Sequence, residues 1–215
     1  MKKIMLAAII MAAALLQGCA TSRSTVDVQA PDTATVTQAN PGPSLYIRNV
    51  TDQRQFEEAP RSADIPSLGF EGAEAATDEL KSRAIGRKRN GYGKALGDVL
   101  LPEDKTITEL VRVYASEGFE DAGWNVVNSA DASDDVTTVD IGVTRFWTWV
   151  KPGFWAIALN TDIETEFTFS DARQLEPIHA HLKDRMQMVV DSDWATSNQL
   201  TLESYRQAIA QKATP

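Results

Sequence analysis

Val136-Thr-Thr-Val-Asp-Ile-Gly-Val-Thr-Arg-Phe-Trp-Thr-Trp-Val150 is the first of three consecutive runs in which apolar and polar residues alternate. A period of two sends successive side chains to opposite faces of a strand. In this run Val139, Ile141, Val143, Arg145 and Trp147 fall on one side. Lys151-Pro152-Gly153 then reads as a hairpin turn. Phe154 to Phe169 alternates again, with Ile157, Leu159, Ile163, Phe167 and Phe169 set against Asp162, Glu164 and Glu166. After a turn over 170–176, Ile178 to Val190 alternates through Ala180, Leu182, Met186, Met188 and Val190. Three such runs predict an antiparallel meander with one buried face and one wet face.

The flanking sequence supplies helices and a further strand. Thr106-Ile-Thr-Glu109 has the form of a capping box, and Ile107, Leu110, Val111, Tyr114, Ala115 and Phe119 follow at helical spacing. That helix is expected to run to Ala122 and stop at Gly123, with Trp124 to Val127 leaving as a short strand. Ser44 to Val50 places Leu45 and Ile47 on one face and reads as a first strand. Leu202 to Ala210 reads as a last helix, with Thr201 as its cap and Tyr205 and Ile209 on its buried face. The expected fold is α+β, an antiparallel β-meander sheet with two main helices packed on one face. The expected single domain is 44–215. It carries a long charged insert over 51–105, acidic in its first half and basic in its second, with a short helix near 73–83.

The start of the chain speaks to compartment. Lys2 and Lys3 precede an apolar stretch from Ile4 to Leu16, which is too short to span a bilayer and has the form of a cleavable secretory signal. Leu16-Gln17-Gly18-Cys19 resembles the lipobox of bacterial lipoproteins, and Cys19 is the chain's single cysteine. An exported chain with one cysteine has no internal disulfide to form, and lipidation gives that thiol a role. The reading is a signal peptide over 1–18, a lipidated Cys19, and a flexible polar tether over 19–43. More than one acyl chain makes such an anchor stable. Ala20 after the cysteine implies sorting to the outer membrane. The formal net charge of −9 excludes a chain built to bind nucleic acid.

Ile47-Arg48-Asn49-Val50-x-Asp52-x-Arg54, Ile85-Gly86-Arg87-Lys88-Arg89-Asn90-Gly91-Tyr92-Gly93 and Ala122-Gly123-Trp124, together with the lipobox, resemble the YajG-type lipoproteins of Gram-negative bacteria. The resemblance runs from the signal through about residue 127. It implies an outer-membrane lipoprotein and brings no catalytic residues; separately, the domain is expected to face the periplasm and to hold no cofactor.

Two stretches stand out as candidate sites. Arg87, Lys88, Arg89, Asn90, Gly91, Tyr92, Gly93 and Lys94 belong to a segment with six cations between Lys81 and Lys94 and no carboxylate. Either it binds an external anion or partner, with glycine backbone N–H groups approaching the ligand, or it folds against the acidic stretch before it. Its glycine spacing fits neither the dinucleotide fingerprint nor a P-loop. Trp147, Trp149, Phe154 and Trp155 cluster on both sides of the predicted hairpin turn. They are either core or an interaction edge for protein or membrane. His179 and His181 share a strand face without a nearby third ligand, so no metal site is expected. Asp162, Glu164 and Glu166 are expected to oppose Lys183 and Arg185 as cross-strand pairs.

These readings lead to a non-catalytic, membrane-anchored protein of the Gram-negative envelope that binds an envelope protein or anionic component. The alternative is a structural or assembly subunit of an outer-membrane complex or oligomer. A hydrolase of envelope polymers, working through the acidic strand, is the third.

Overall fold

A computed structural model describes residues 23–31, 42–90, 94–129 and 135–215. In chain order its elements are β1 (Ser24–Thr25), β2 (Ser44–Asp52), α1 (Asp78–Arg83), β3 (Ala84–Arg89), β4 (Ala95–Leu100), α2 (Ile107–Asp121), β5 (Asn125–Val126), β6 (Val136–Pro152), β7 (Ile157–Phe169), β8 (Ile178–Met186) and α3 (Asp191–Lys212). The eight strands form one open, mixed sheet, and the fold is α+β.

The long strand β6 is the spine. Along one edge it pairs antiparallel with β7 from Val139 to Pro152, and β7 pairs antiparallel with β8. This is the expected meander. The other edge of β6 is shared by two strands. β2 runs parallel to residues 136–143, and β3 then joins parallel at Thr148. β5 extends the sheet beyond β2, while β4 and then β1 extend it beyond β3.

A β-bulge corrects the predicted faces of β6. Val143 pairs with Thr165 and Arg145 with Glu164, so Thr144 is an extra residue. Beyond it the alternation changes phase. Phe146, Thr148 and Val150 join Val139, Ile141 and Val143 on the buried helix side, and Arg145, Trp147 and Trp149 turn to the opposite face. The bulge lies opposite the gap between β2 and β3.

Helices α2 and α3 cover one face of the sheet. Their core includes Phe119, Phe146, Leu159, Ile163, Trp194, Leu202, Tyr205 and Ile209. The α2 cap is as predicted: the Glu109 backbone N–H donates to Thr106 Oγ1 at 3.2 Å, and Glu109 accepts from the Thr106 N–H at 2.8 Å. Gly123 follows in the left-handed region at φ 106°. α3 begins eleven residues before the predicted start of the last helix, so Thr201 is interior rather than a cap. Its first half buries Ser197, Asn198 and Thr201, which periodicity in apolar residues does not detect. They face threonines of the sheet. Thr161 Oγ1 lies 2.9 Å from Thr148 Oγ1 and 2.7 Å from Ser197 Oγ, and Asn198 Nδ2 donates to Thr148 Oγ1 at 2.9 Å.

Residues 51–105 are more ordered than an insert. The short helix α1 starts at Asp78, and β3 and β4 are sheet strands. Ala84, Ile85 and Gly86 are buried in succession, as are Gly97 to Leu100, because covered strands bury both faces and lose alternation. The crossover between β2 and α1 lies over the second face. There Leu68, Ala84, Leu100 and Trp147 form a smaller core, flanked by Phe56 and Leu80. The folded body also takes in 23–31, which the sequence places in the tether. β1 pairs with β4, and Val26 and Val28 are buried. Cys19 and the signal lie outside the described residues.

Candidate functional site

The basic stretch occupies β3 and the turn after it, and its arginines are spent internally. Arg87 Nη1 donates to Ser67 Oγ at 3.2 Å, and its Nε lies 3.8 Å from the buried Asp98 carboxylate. Asp98 also accepts from Arg23 Nε at 3.2 Å and from the Gly69 backbone N–H at 2.7 Å. Arg89 donates to Ser67 Oγ at 3.3 Å. Burial, and then the neighbouring Arg87 charge, lower the Arg89 pKa from its ordinary value. Lys88 reaches the other face of β3, donating to Ser24 Oγ at 2.5 Å and to Asp191 at 2.6 Å. Asn90 and Lys94 close the turn through the Asn90 N–H to Lys94 carbonyl bond at 2.9 Å. Gly91, Tyr92 and Gly93 lie outside the described residues. The basic strand thus packs against the 57–79 stretch through Ser67 and the Pro60 carbonyl, while Asp98 and Asp191 are carboxylates that meet its cations.

The aromatic residues divide. Trp147 is fully buried on the second face; its indole N–H donates to the Ala63 carbonyl at 3.1 Å and its ring meets Phe56 edge-on at 6.0 Å. Trp149 is half-buried beside it, 6.3 Å from the His181 ring. Phe154 and Trp155 stand on the β6–β7 turn, 89% and 83% exposed, packed edge-to-face on each other at 4.7 Å. The extended run predicted to begin at Phe154 starts at Ile157 instead, because Gly153 to Ala156 form the turn. Buried and exposed rings are therefore both present, separated at Pro152.

Sheet topology brings the end of the basic stretch beside the aromatic turn. β3 runs parallel to β6 with Gly86 opposite Thr148, so Arg89 and Asn90 approach the level of Lys151 and Pro152. Gly86 permits this contact. A Cβ there would lie 2.5 Å from the Thr148 carbonyl and 2.7 Å from the Trp194 ring. Between the two elements an apolar groove of about 350 Å³ is lined by Leu96, Val150, Ile157, Met188 and Trp194, with Lys88 and Arg89 at its rim. Met188, placed on a strand by alternation, lies beyond the end of β8 and is 70% exposed. On the opposite face of the turn, Lys151, Lys183 and Arg185 surround Ala158 below the two exposed rings. Among the described residues these three cations form no ion pair. Asp184 is the sole carboxylate within 151–158 and 183–188.

The wet face of the meander holds a cluster that the sequence did not assemble. Asp162 pairs with His181, and Glu164 with His179, rather than with Lys183 and Arg185. Imidazole nitrogens of His181 and His179 lie 2.6 and 3.2 Å from Asp162 Oδ1, and Arg145 lies 3.5 Å from Oδ2. Arg145 also reaches Asp64 of the crossover at 3.5 Å. The bulge at Thr144 creates this arrangement by turning Arg145 to the wet face. Among the described residues no three metal-ligating side chains are grouped to hold an ion.

No family model and no curated protein matches the chain. Among solved structures it is similar to a Xanthomonas campestris protein of the family model DUF330, at 14% identity and TM-score 0.44, covering 89% of this chain and 93% of that one. It is also similar to a protein described as uncharacterized, at 12% identity and TM-score 0.40, covering 89% and 95%.

Proposed function

We propose that this chain is a non-catalytic, YajG-type lipoprotein of the Gram-negative envelope. It is anchored through Cys19 in the outer membrane, faces the periplasm, and binds another envelope component through the β6–β7 turn. The observation that carries the binding role is the exposure of Phe154 and Trp155 beside Lys151, Lys183 and Arg185. Large aromatic side chains held in water beside cations fit a contact surface better than a lone folded domain. The lipobox supports the anchor. The engagement of Arg87 and Arg89 with Ser67 and Asp98 moves the contact from the basic strand to the turn.

A photoreactive amino acid at position 155, irradiated in living cells, tests this reading. The expected result is a discrete adduct that is absent when the probe replaces Glu166, on β7 and away from the turn. No adduct from position 155 would overturn it.

A second reading, assembly through the sheet edge, rests on β8, whose outer edge pairs with no strand among the described residues. Lys183 and Arg185 along that strand oppose such pairing, since charge on an edge strand blocks strand addition.

A further inference from the structure

We infer that the occupant of the β6–β7 turn is an anionic phospholipid surface, with the Phe154 and Trp155 rings entering the head-group region of the membrane that holds the anchor. The inference rests on the lipidation reading of Cys19 given above.

Three observations converge on it. The first is direction. β1 runs parallel to β4 with Ser24 opposite Val99, and β4 is antiparallel to β3, which is parallel to β6. β1 therefore points away from the β6–β7 turn, and its N-terminal end faces the end of the sheet that carries the exposed rings. The second is reach. Cys19 is only four positions before Arg23, so even a fully extended chain gives the anchor about 14 Å. Arg23 is itself fixed by its bond to Asp98 at 3.2 Å and by its place 4.6 Å from the Phe70 ring centre. A lipid on Cys19 thus holds the domain close to the bilayer instead of on a long tether.

The third is chemistry. Phe154 and Trp155 are the most exposed large apolar side chains among the described residues, and indole and phenyl rings partition into the head-group region. Lys151, Lys183 and Arg185 sit just behind them without carboxylate partners, where an anionic surface would supply the counter-charge. Against a formal net charge of −9 for the chain, this group of three cations lessens the repulsion from an anionic bilayer. A protein partner would also be drawn to exposed rings, but the short reach from the anchor places lipid there first.

The test uses the full lipidated chain in vesicles made of equal parts phosphatidylcholine and phosphatidylglycerol with brominated acyl chains, which quench tryptophan on contact. The expected result is quenching that disappears in Trp155→Phe. It should weaken in vesicles of phosphatidylcholine alone. It should also weaken in Lys151→Gln/Lys183→Gln/Arg185→Gln, by about fivefold in the surface-bound population per cation removed. Equal quenching in wild type and Trp155→Phe would overturn the inference. So would quenching that is indifferent to lipid charge. Read with the photocrosslinking, the outcomes separate. A protein adduct from position 155 without quenching retains a binding turn and removes the membrane as its occupant. Neither adduct nor quenching removes both.

Discussion

Arg54 solves a problem created by the shared edge of β6. β2 stops at Asp52 and β3 begins at Ala84, so backbone carbonyls around the gap lack a neighbouring strand. The Arg54 guanidinium fills that gap. It donates to the carbonyls of Ala84 at 2.6 Å, Phe146 at 3.0 Å and Lys81 at 2.6 Å, and clamps Asp52 through both oxygens at 2.8 and 2.7 Å. It is 6% exposed, so these bonds are made away from water. Arg54→Met is expected to cost about 1–3 kcal/mol for each of the Ala84 and Phe146 carbonyls that loses its buried donor. Urea unfolding reads this directly; an unchanged midpoint would show the gap tolerates an apolar plug. Arg48 and Asp140 act at the surface instead. The hydrogen bond from Arg48 holds the Asp140 carboxyl below its ordinary pKa. A depressed folded value means the pair stabilises above the unfolded pKa of about 3.9 and loses that effect as pH falls through the folded one. Arg48→Met should therefore unfold at lower urea than wild type at pH 7, with the gap closing in acid.

At the scale of the element, the bulge in β6 decides which residues are core. With Thr144 set aside, the run from Val139 to Val150 alternates without interruption, since Val143, Phe146, Thr148 and Val150 then fall on one face. Deleting Thr144 should leave the same side chains buried and unfolding cooperative. Deleting Thr148 should exchange the faces of Trp149 and Val150 against a fixed partner strand and abolish cooperative unfolding, because a one-residue slip moves every following side chain to the other face. Calorimetry distinguishes the two. The same strand explains the start of α3, where serine, asparagine and threonine are buried because β6 and β7 offer hydroxyls in place of methyls. Polar groups buried in this way are tolerated when hydrogen-bonded to one another.

For the whole molecule, the two tryptophans flanking Pro152 mark a division between stability and contact. Trp147 fills the second core, so Trp147→Ala should cost about 3–5 kcal/mol. Phe154→Ser/Trp155→Ser should change stability by no more than about 0.5 kcal/mol, since neither side chain is buried, while removing the contact made by the turn. Thermal unfolding of the two variants beside wild type checks the pairing; a large loss from the turn variant would make it a structural element. Under the proposed lipidation of Cys19, the direction of β1 favours an anchor at the end of the sheet that carries the turn.

Local sequence determined whatever depends on neighbours a few residues apart. The Thr106 cap, the stop at Gly123, the meander of β6, β7 and β8 and the lipobox pattern at Cys19 are of this kind, because capping, alternation and peptide recognition are short-range. The tertiary structure alone decided the rest. Strands β3 and β4, covered on both faces, carry no alternation. The polar first half of α3 hides in hydrophobic periodicity because its partners are threonines on another element. The exposed aromatic turn and its surroundings became visible only in the structure, where β3 runs parallel to β6 and Phe154 and Trp155 stand in solvent. Exposure is a property of what packs against a residue, and those packing partners lie tens of residues away in the chain.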